Sequence, residues 1–125
     1  MVIGIGLDLV ETARIERLLG RYGDQFVRKL MGEDEAAGLP AAAPERTLAV
    51  AFAVAGKEAA SKAIGTGWSR GVFWRDVVVV HGPSPEVRLR GEAAAVARRL
   101  GSSGRTHIRL ELRGPLAVGE VWLLS

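Results

Sequence analysis

The sequence predicts an α+β protein in which an antiparallel sheet packs against one long and several short helices. Three observations carry that expectation. Ile3, Ile5, Leu7 and Leu9 alternate with Val2, Gly4, Gly6, Asp8 and Val10, the period of two that a strand imposes. An alanine-rich segment from Glu45 to Ile64, followed by Gly65, has the composition of a helix closed by a C′ glycine. Beyond it, short β-branched and alternating runs separated by Gly-Pro turns read as strands.

Taken in order, the first strand has glycine at 4 and 6, which keeps one face low enough for a helix, another backbone or a ligand to approach closely. Asp8 lies on the face opposite Leu7 and Leu9. A helix of roughly three turns follows from Glu11, with Ile15, Leu18, Leu19 and Tyr22 at helical spacing and Arg14, Arg17 and Arg21 on the wet side. Gly23-Asp24 breaks it. Phe26, Leu30 and Met31 mark a short second helix, Glu33-Asp34-Glu35 opens a further turn, and Ala41 to Pro44 is a linker of small residues.

In the long helix Leu48, Phe52, Ala55, Ala59 and Ile64 form one buried stripe, whose alanines let a neighbouring layer come close. Val77 to Val80 reads as a strand buried on both faces. Gly82-Pro83-Ser84-Pro85 turns the chain into an alternating strand at Val87 and Leu89. A helix spans Glu92 to Leu100, and Gly101 to Arg105 forms a loop. Ile108, Leu110 and Leu112 alternate with Arg109, Glu111 and Arg113 before a Gly114-Pro115 turn and a last strand near Val118 to Leu124. With no repeat, low-complexity tract or interdomain linker, residues 1–125 read as one domain.

Composition narrows the function. The chain lacks cysteine and has only His81 and His107, which excludes thiolate metal sites and a histidine-rich zinc site. No apolar run is long enough for a membrane span, and the N-terminus enters a strand without a secretory leader, so a cytoplasmic protein is expected. The net charge of +3 rests on arginine and favours anionic partners. Those arginines are dispersed and aromatics are only 6%, so nucleic acid is not the expected partner.

The residues with chemical promise are few. Glu58 and Lys62 are four apart and share a helix face, which therefore carries a carboxylate able to hold a metal and an ammonium able to hold a phosphate. Each candidate alone has a plain explanation. Asp8 can cap the next helix, Lys57 can be a surface charge, and Glu58 with Lys62 can form a solvated pair worth about 0.3–0.5 kcal/mol. Together they say more. Two carboxylates, substrate phosphates and water compose a magnesium shell, and a lysine one turn away offsets charge building on a phosphoryl oxygen. Gly65-Thr66-Gly67 can present backbone N–H groups to a phosphate, although the order is not that of a Walker loop. The constellation points to a small enzyme handling a metal-bound phosphate ester.

Gly4-Ile5-Gly6-Leu7-Asp8-Leu9-Val10-Glu11 with Arg14-Ile15 resembles the opening of the holo-acyl-carrier-protein synthases, the small 4′-phosphopantetheinyl transferases. Phe26, Leu30, Met31 and Glu35 resemble their second block. Lys57-Glu58-Ala59-Ala60-Ser61-Lys62-Ala63-Ile64-Gly65-Thr66-Gly67 resembles their signature helix, and Trp74-Arg75-Asp76-Val77 the strand entry after it. The resemblance covers roughly the first 80 residues. It implies the small phosphopantetheinyl transferase fold and transfer of the phosphopantetheine arm of coenzyme A to a serine of an acidic acyl carrier protein, with release of adenosine 3′,5′-bisphosphate. It further implies Asp8 and Glu58 as magnesium ligands, Lys62 on phosphate, Gly65 beside the cofactor, and Arg14 facing the carrier with help from Arg17 and Arg21. Such proteins are typically homotrimers with active sites at subunit contacts.

Two segments depart from the family pattern. Ala53-Val54 stands where the family has an arginine and an aromatic, and Ile108 to Arg113 lacks the serine, histidine and threonine that help bind the cofactor. His107 lies too early to replace them and reads as a core or rim residue. Arg46, Arg109 and Arg113 are the candidate replacement donors, because guanidinium grips phosphate with two prongs. The competing reading is a catalytically weakened member that binds a carrier protein or acts as a scaffold.

Overall fold

The computed structural model describes all residues, Met1–Ser125. Its elements follow the order β1 (Val2–Glu11), α1 (Thr12–Tyr22), α2 (Asp24–Leu30), α3 (Glu33–Ala37), α4 (Glu45–Ala63), a 3-10 turn (Trp74–Asp76), β2 (Val77–Val80), β3 (Glu86–Leu89), α5 (Gly91–Arg99), β4 (Thr106–Arg113) and β5 (Leu116–Leu124). The expected α+β architecture is present, but the strands divide into two sheets. One is antiparallel with order β1-β5-β4, and the other is the antiparallel pair β2-β3. The long central helix α4 crosses the inner face of the larger sheet.

Glycine sets how close that crossing is. A methyl group on Gly4 would lie 2.0 Å from the Ala63 carbonyl oxygen, and one on Gly6 would lie 1.8 Å from that of Ala59. On β5, a methyl on Gly119 would come within 2.6 Å of the Ala55 carbonyl. Three glycines thus meet three alanines on successive turns of α4, and backbone touches backbone. The low face read at Gly4 and Gly6 is occupied by a helix.

Helix ends follow the sequence. Gly65 has φ of 82°, beyond the reach of most side chains, and terminates α4 one residue after its C-cap Ile64. In the expected stripe Ala55, Ala59 and Ile64 are buried, whereas Leu48 and Phe52 are half-buried beside the shorter helices.

Three expectations need correction. Tyr22 is exposed at the end of α1, with its ring under the Arg21 guanidinium at 5.3 Å. β2 is not buried on both faces: Val77 and Val79 are enclosed while Val78 and Val80 are half-buried, because only one partner strand and one covering layer meet it. Lys57 is not a surface charge, and its side chain is wholly buried.

Candidate active site

Beyond an irregularity between Val2 and Gly4, the even-numbered residues of β1 point at α4. Gly4 and Gly6 make the close contact, and Asp8 is the next inward position, paired across the sheet with Gly119. Its carboxylate therefore emerges beside α4 at the mouth of a cleft of about 410 Å³. Asp8, Glu58, Arg14, Phe26, Leu18 and Trp74 are among the residues lining it. Asp8 from the sheet and Glu58 from the helix both line that cleft.

Lys62 is one turn beyond Glu58, and it is Asp8 that its ammonium meets, at 2.9 Å, while also donating to the Leu7 carbonyl at 3.1 Å. The expected alternative of a pair within α4 is replaced by a pair between layers. Asp8 is also not a helix cap: Glu11 occupies the N-cap of α1, and no side chain caps that end. The Asp8 side chain is 18% exposed and that of Lys62 is 51% exposed, so the acid is held in place while the lysine reaches it from solvent.

The donor set suits a hard divalent cation, because both carboxylates offer oxygen and the cleft has no competing thiolate or imidazole. Nowhere do three or more His, Cys, Asp or Glu side chains gather in a way that could hold a metal ion. Two carboxylates alone leave most of an octahedral shell to substrate and water, which matches the habit of magnesium at phosphate sites.

Behind the cleft is a buried ion pair that the sequence reading missed. Lys57 Nζ donates to Glu35 Oε1 at 2.9 Å, to the Trp74 carbonyl at 3.1 Å and to the Val77 carbonyl, which uses all three of its protons. Glu35 Oε2 accepts the Val79 N–H at 3.1 Å. Burial pulls the Lys57 ammonium below the ordinary lysine value, and the Glu35 carboxylate opposes that pull. The signal was available: Lys57 shares a helical face with Val50, Ala53, Ala60 and Ile64, all of them buried.

The other named residues are more scattered. Gly65 is exposed at the exit of α4, its N–H bonded to the Lys62 carbonyl at 3.1 Å. Arg17 and Arg21 are exposed on α1 but, unlike Arg14, do not line the cleft. Arg46 starts α4, about 18 Å along the axis from Glu58 at about 1.5 Å per residue. Its guanidinium meets Asp24 at 3.5 Å and the Pro40 carbonyl at 3.1 Å. Arg109 and Arg113 both pair with Glu111, at 3.3 and 3.2 Å. Within one chain, none of these three arginines lines the Asp8–Glu58 cleft. His107 is exposed and sits edge-on to Trp122 at 6.2 Å.

A helix laid on a three-stranded sheet, with one acid from each layer in a common cleft, makes this a small α+β protein with a candidate cation and phosphate site. The family model of the 4′-phosphopantetheinyl transferase superfamily matches residues 4–113, and the chain belongs to that family. Among its relatives, the holo-[acyl-carrier-protein] synthase of Nitratidesulfovibrio vulgaris is 46% identical over 112 residues, covering 88% of each chain. That of Methylobacterium sp. (strain 4-46) is 44% identical over 122 residues, covering 94% of this chain and 90% of the relative. Among solved structures, the holo-[acyl-carrier-protein] synthase of Neisseria meningitidis superposes with a TM-score of 0.86 at 27% identity, covering 100% of both chains. The Bacillus anthracis enzyme in complex with CoA (3′,5′-ADP) superposes with a TM-score of 0.76 at 32% identity, covering 100% of this chain and 98% of that one. No helix is long and apolar enough to cross a membrane.

Proposed function

We propose that this protein transfers the 4′-phosphopantetheine arm of coenzyme A to a serine hydroxyl of an acyl carrier protein, converting the apo carrier to its holo form. The observation that carries the reading is the convergence of Asp8 and Glu58 in one cleft of a chain from this superfamily.

In this reading the cleft receives the pyrophosphate of coenzyme A, and Asp8 and Glu58 are the protein ligands of a magnesium ion. When bound, that ion neutralises and orients the phosphoryl oxygens. Lys62, half exposed and held to Asp8 by a single ion pair, turns its ammonium toward a phosphate oxygen as the substrate enters. Gly65 leaves the helix exit bare beside the cofactor. The serine hydroxyl gives up its proton to water in the open cleft as its oxygen forms the bond to the phosphorus carrying the pantetheine arm, while the anhydride bond breaks and adenosine 3′,5′-bisphosphate departs with the electron pair. Lys62 steadies the charge that builds there. Arg14 in the cleft wall, with Arg17 and Arg21 along the same helix, meets an acidic carrier.

The assembly we propose is a homotrimer built through the outer face of the larger sheet, where Ile5, Leu7, Leu9 and Trp122 are exposed together. Arg46, remote from the cleft in its own chain, reaches coenzyme A only across such a contact. The proposed setting is the cytoplasm.

One observation favours a second reading, a carrier-binding member with weakened catalysis. The arginines nearest the departed C-terminal motif, Arg109 and Arg113, both pair with Glu111, and neither lines the Asp8–Glu58 cleft. Mass spectrometry of an apo carrier incubated with coenzyme A, magnesium and this protein decides between the two. A gain of one phosphopantetheine arm that disappears in Glu58→Ala supports the transferase. Tight carrier binding with no gain at high coenzyme A supports the binding protein.

A further inference from the structure

Beside the cleft is a second surface with its own chemistry. Phe73 is 69% exposed, and Arg28, Lys29, Phe73, Trp74 and Arg75 enclose a depression of about 460 Å³. Arg28, Lys29 and Arg75 are exposed, and no carboxylate lies within ion-pair distance of any of them. The nearby acid on α3, Asp34, is engaged by Arg90 at 3.3 Å, and that hydrogen bond holds its carboxyl below the usual range. The patch therefore presents three cations without ion-pair partners around an aromatic ring, against one acid, Asp76, whose carboxylate is turned to the Phe73 backbone.

It is also held in place. The Phe73 N–H donates to Asp76 Oδ2 at 2.9 Å, which fixes the backbone that carries the ring. Arg75 Nε donates to the Arg28 carbonyl at 3.2 Å and ties the 3-10 turn to α2. Trp74 is shared, since it walls both this depression and the Asp8–Glu58 cleft. Its ring stacks on Trp68 at 4.1 Å, and its carbonyl is gripped by Lys57. A ligand seated on Phe73 is thus separated from the cleft by one rigid indole. Docking on a surface already ordered costs little conformational entropy.

We propose that Phe73, Arg28, Lys29 and Arg75 form a second docking surface for the acidic carrier protein, on the side of the cleft away from Arg17 and Arg21. This rests on the transferase reading above. The partner chemistry that fits is an apolar side chain ringed by carboxylates: the ring takes the apolar group and the three cations take the acids. Contact at this patch adds to contact along α1 and raises affinity for the carrier.

The test uses the full chain with Arg28→Glu/Lys29→Glu and with Phe73→Ser, all at exposed positions, with folding checked by thermal melts. Transfer is measured with the apo carrier and coenzyme A varied separately, and carrier binding is measured by calorimetry without coenzyme A. Each variant should raise the carrier KM and Kd about ten-fold, a change of about 1.4 kcal/mol, while kcat and the coenzyme A KM stay within about two-fold. The salt dependence of carrier binding should flatten in the charge-reversed variant. Unchanged carrier affinity overturns the proposal, as does a change in assembly size for Phe73→Ser, which would make the patch a contact between copies. Equal weakening toward a duplex DNA probe overturns it in favour of generic anion binding. If the parent binds the carrier without transferring and the variants lose that binding, the surface stands and the transferase reading falls. If the parent does neither, both fall.

Discussion

The ammonium of Lys57 lies 2.9 Å from a carboxylate oxygen of Glu35, with side-chain exposures of 0% and 3%. Desolvating both charges is expensive, and a pair of this kind is repaid only when every remaining donor and acceptor is also met. Here the lysine spends its other two protons on the Trp74 and Val77 carbonyls, and the glutamate takes the Val79 N–H. Helix α4, helix α3, the 3-10 turn and β2 meet at this one pair. Lys57→Met or Glu35→Gln leaves the partner stranded and should cost about 3–5 kcal/mol in urea unfolding. The double variant should lose clearly less than the sum, because no unpaired ammonium remains. Strict additivity would mean that the two groups do not act as a pair.

Gly6 and Gly20 separate the two uses of glycine. A methyl at Gly6 would sit 1.8 Å from a backbone oxygen of α4, whereas one at Gly20 meets nothing within 4 Å. Gly6→Ala must push the helix off the sheet. It should destabilise by about 1–3 kcal/mol or more and lower transfer activity, because it separates Asp8 from Glu58. Gly20→Ala, within α1, should stabilise by up to about 1 kcal/mol and leave activity alone. Thermal melts of the pair check both signs, and equal melting temperatures would remove the close-approach argument.

Much of this frame was legible because local signals agreed with tertiary ones. The Gly4–Gly6 spacing announced a close approach, the alanines of α4 announced what would approach, and Gly65 announced where the helix ends. What stayed hidden depended on partners distant in sequence. Lys57 reads as surface when taken beside Glu58, since its acid is supplied by a five-residue helix 22 positions earlier. The Glu58–Lys62 spacing satisfies a helical ion pair, yet only the layer geometry shows that Asp8 takes the lysine. The split into two sheets was equally hidden, because alternating runs reveal strands but not which strands pair.

In the proposed transferase, Lys62 and a divalent cation would draw on the same carboxylate. With its ammonium 2.9 Å from Asp8, the lysine acts as counter-ion in the free protein and must yield to a metal. Lys62→Met should therefore tighten magnesium binding several-fold, about 1 kcal/mol for one removed like charge near the surface, and still lower kcat by about 10²–10³-fold. Titration of tryptophan fluorescence with magnesium follows the first effect through Trp74 in the cleft wall. Weaker magnesium binding in the variant would rule out the competition.

His81 makes the fold sensitive to acid. Its Nε2 is buried without a partner, and burial, then the Lys57 charge, hold the imidazole below the ordinary histidine value. The groups around it are mixed: Lys57 repels its proton, while Arg88, paired with Glu86, and Glu35 and Asp34 lie on the same depression. Between the lowered native value and about 6.5 the unfolded chain binds a proton that the native chain refuses, so stability falls as pH drops through that window. Its slope is at most about 1.4 kcal/mol per pH unit for one proton. Urea unfolding at pH 7.5 and 5.5 should show this loss in the parent and a smaller one in His81→Phe. Identical losses would place the acid sensitivity elsewhere.

The outer face of the larger sheet ties assembly to activity. Ile5, Leu7 and Leu9 are each more than half exposed on β1, and Trp122 lies beside Ile5 across the β1–β5 register. A row of this kind on an open sheet face is stable in water only when something covers it. The flanking Glu120 and Arg109 face each other across β4 and β5 and give the surface a polar rim. Ile5→Glu places a charge in the apolar row without touching α4, so the chain should still melt cooperatively, at a lower temperature once the row is uncovered, while light scattering shows the mass fall from the proposed trimer to a monomer. With Arg46 proposed to meet coenzyme A across this contact, the monomer should also show a coenzyme A KM raised about ten-fold or more, a loss of about 1.4 kcal/mol. An Ile5→Glu monomer with the parent's coenzyme A KM would confine the whole cofactor site to one chain and leave Arg46 with only its Asp24 pair.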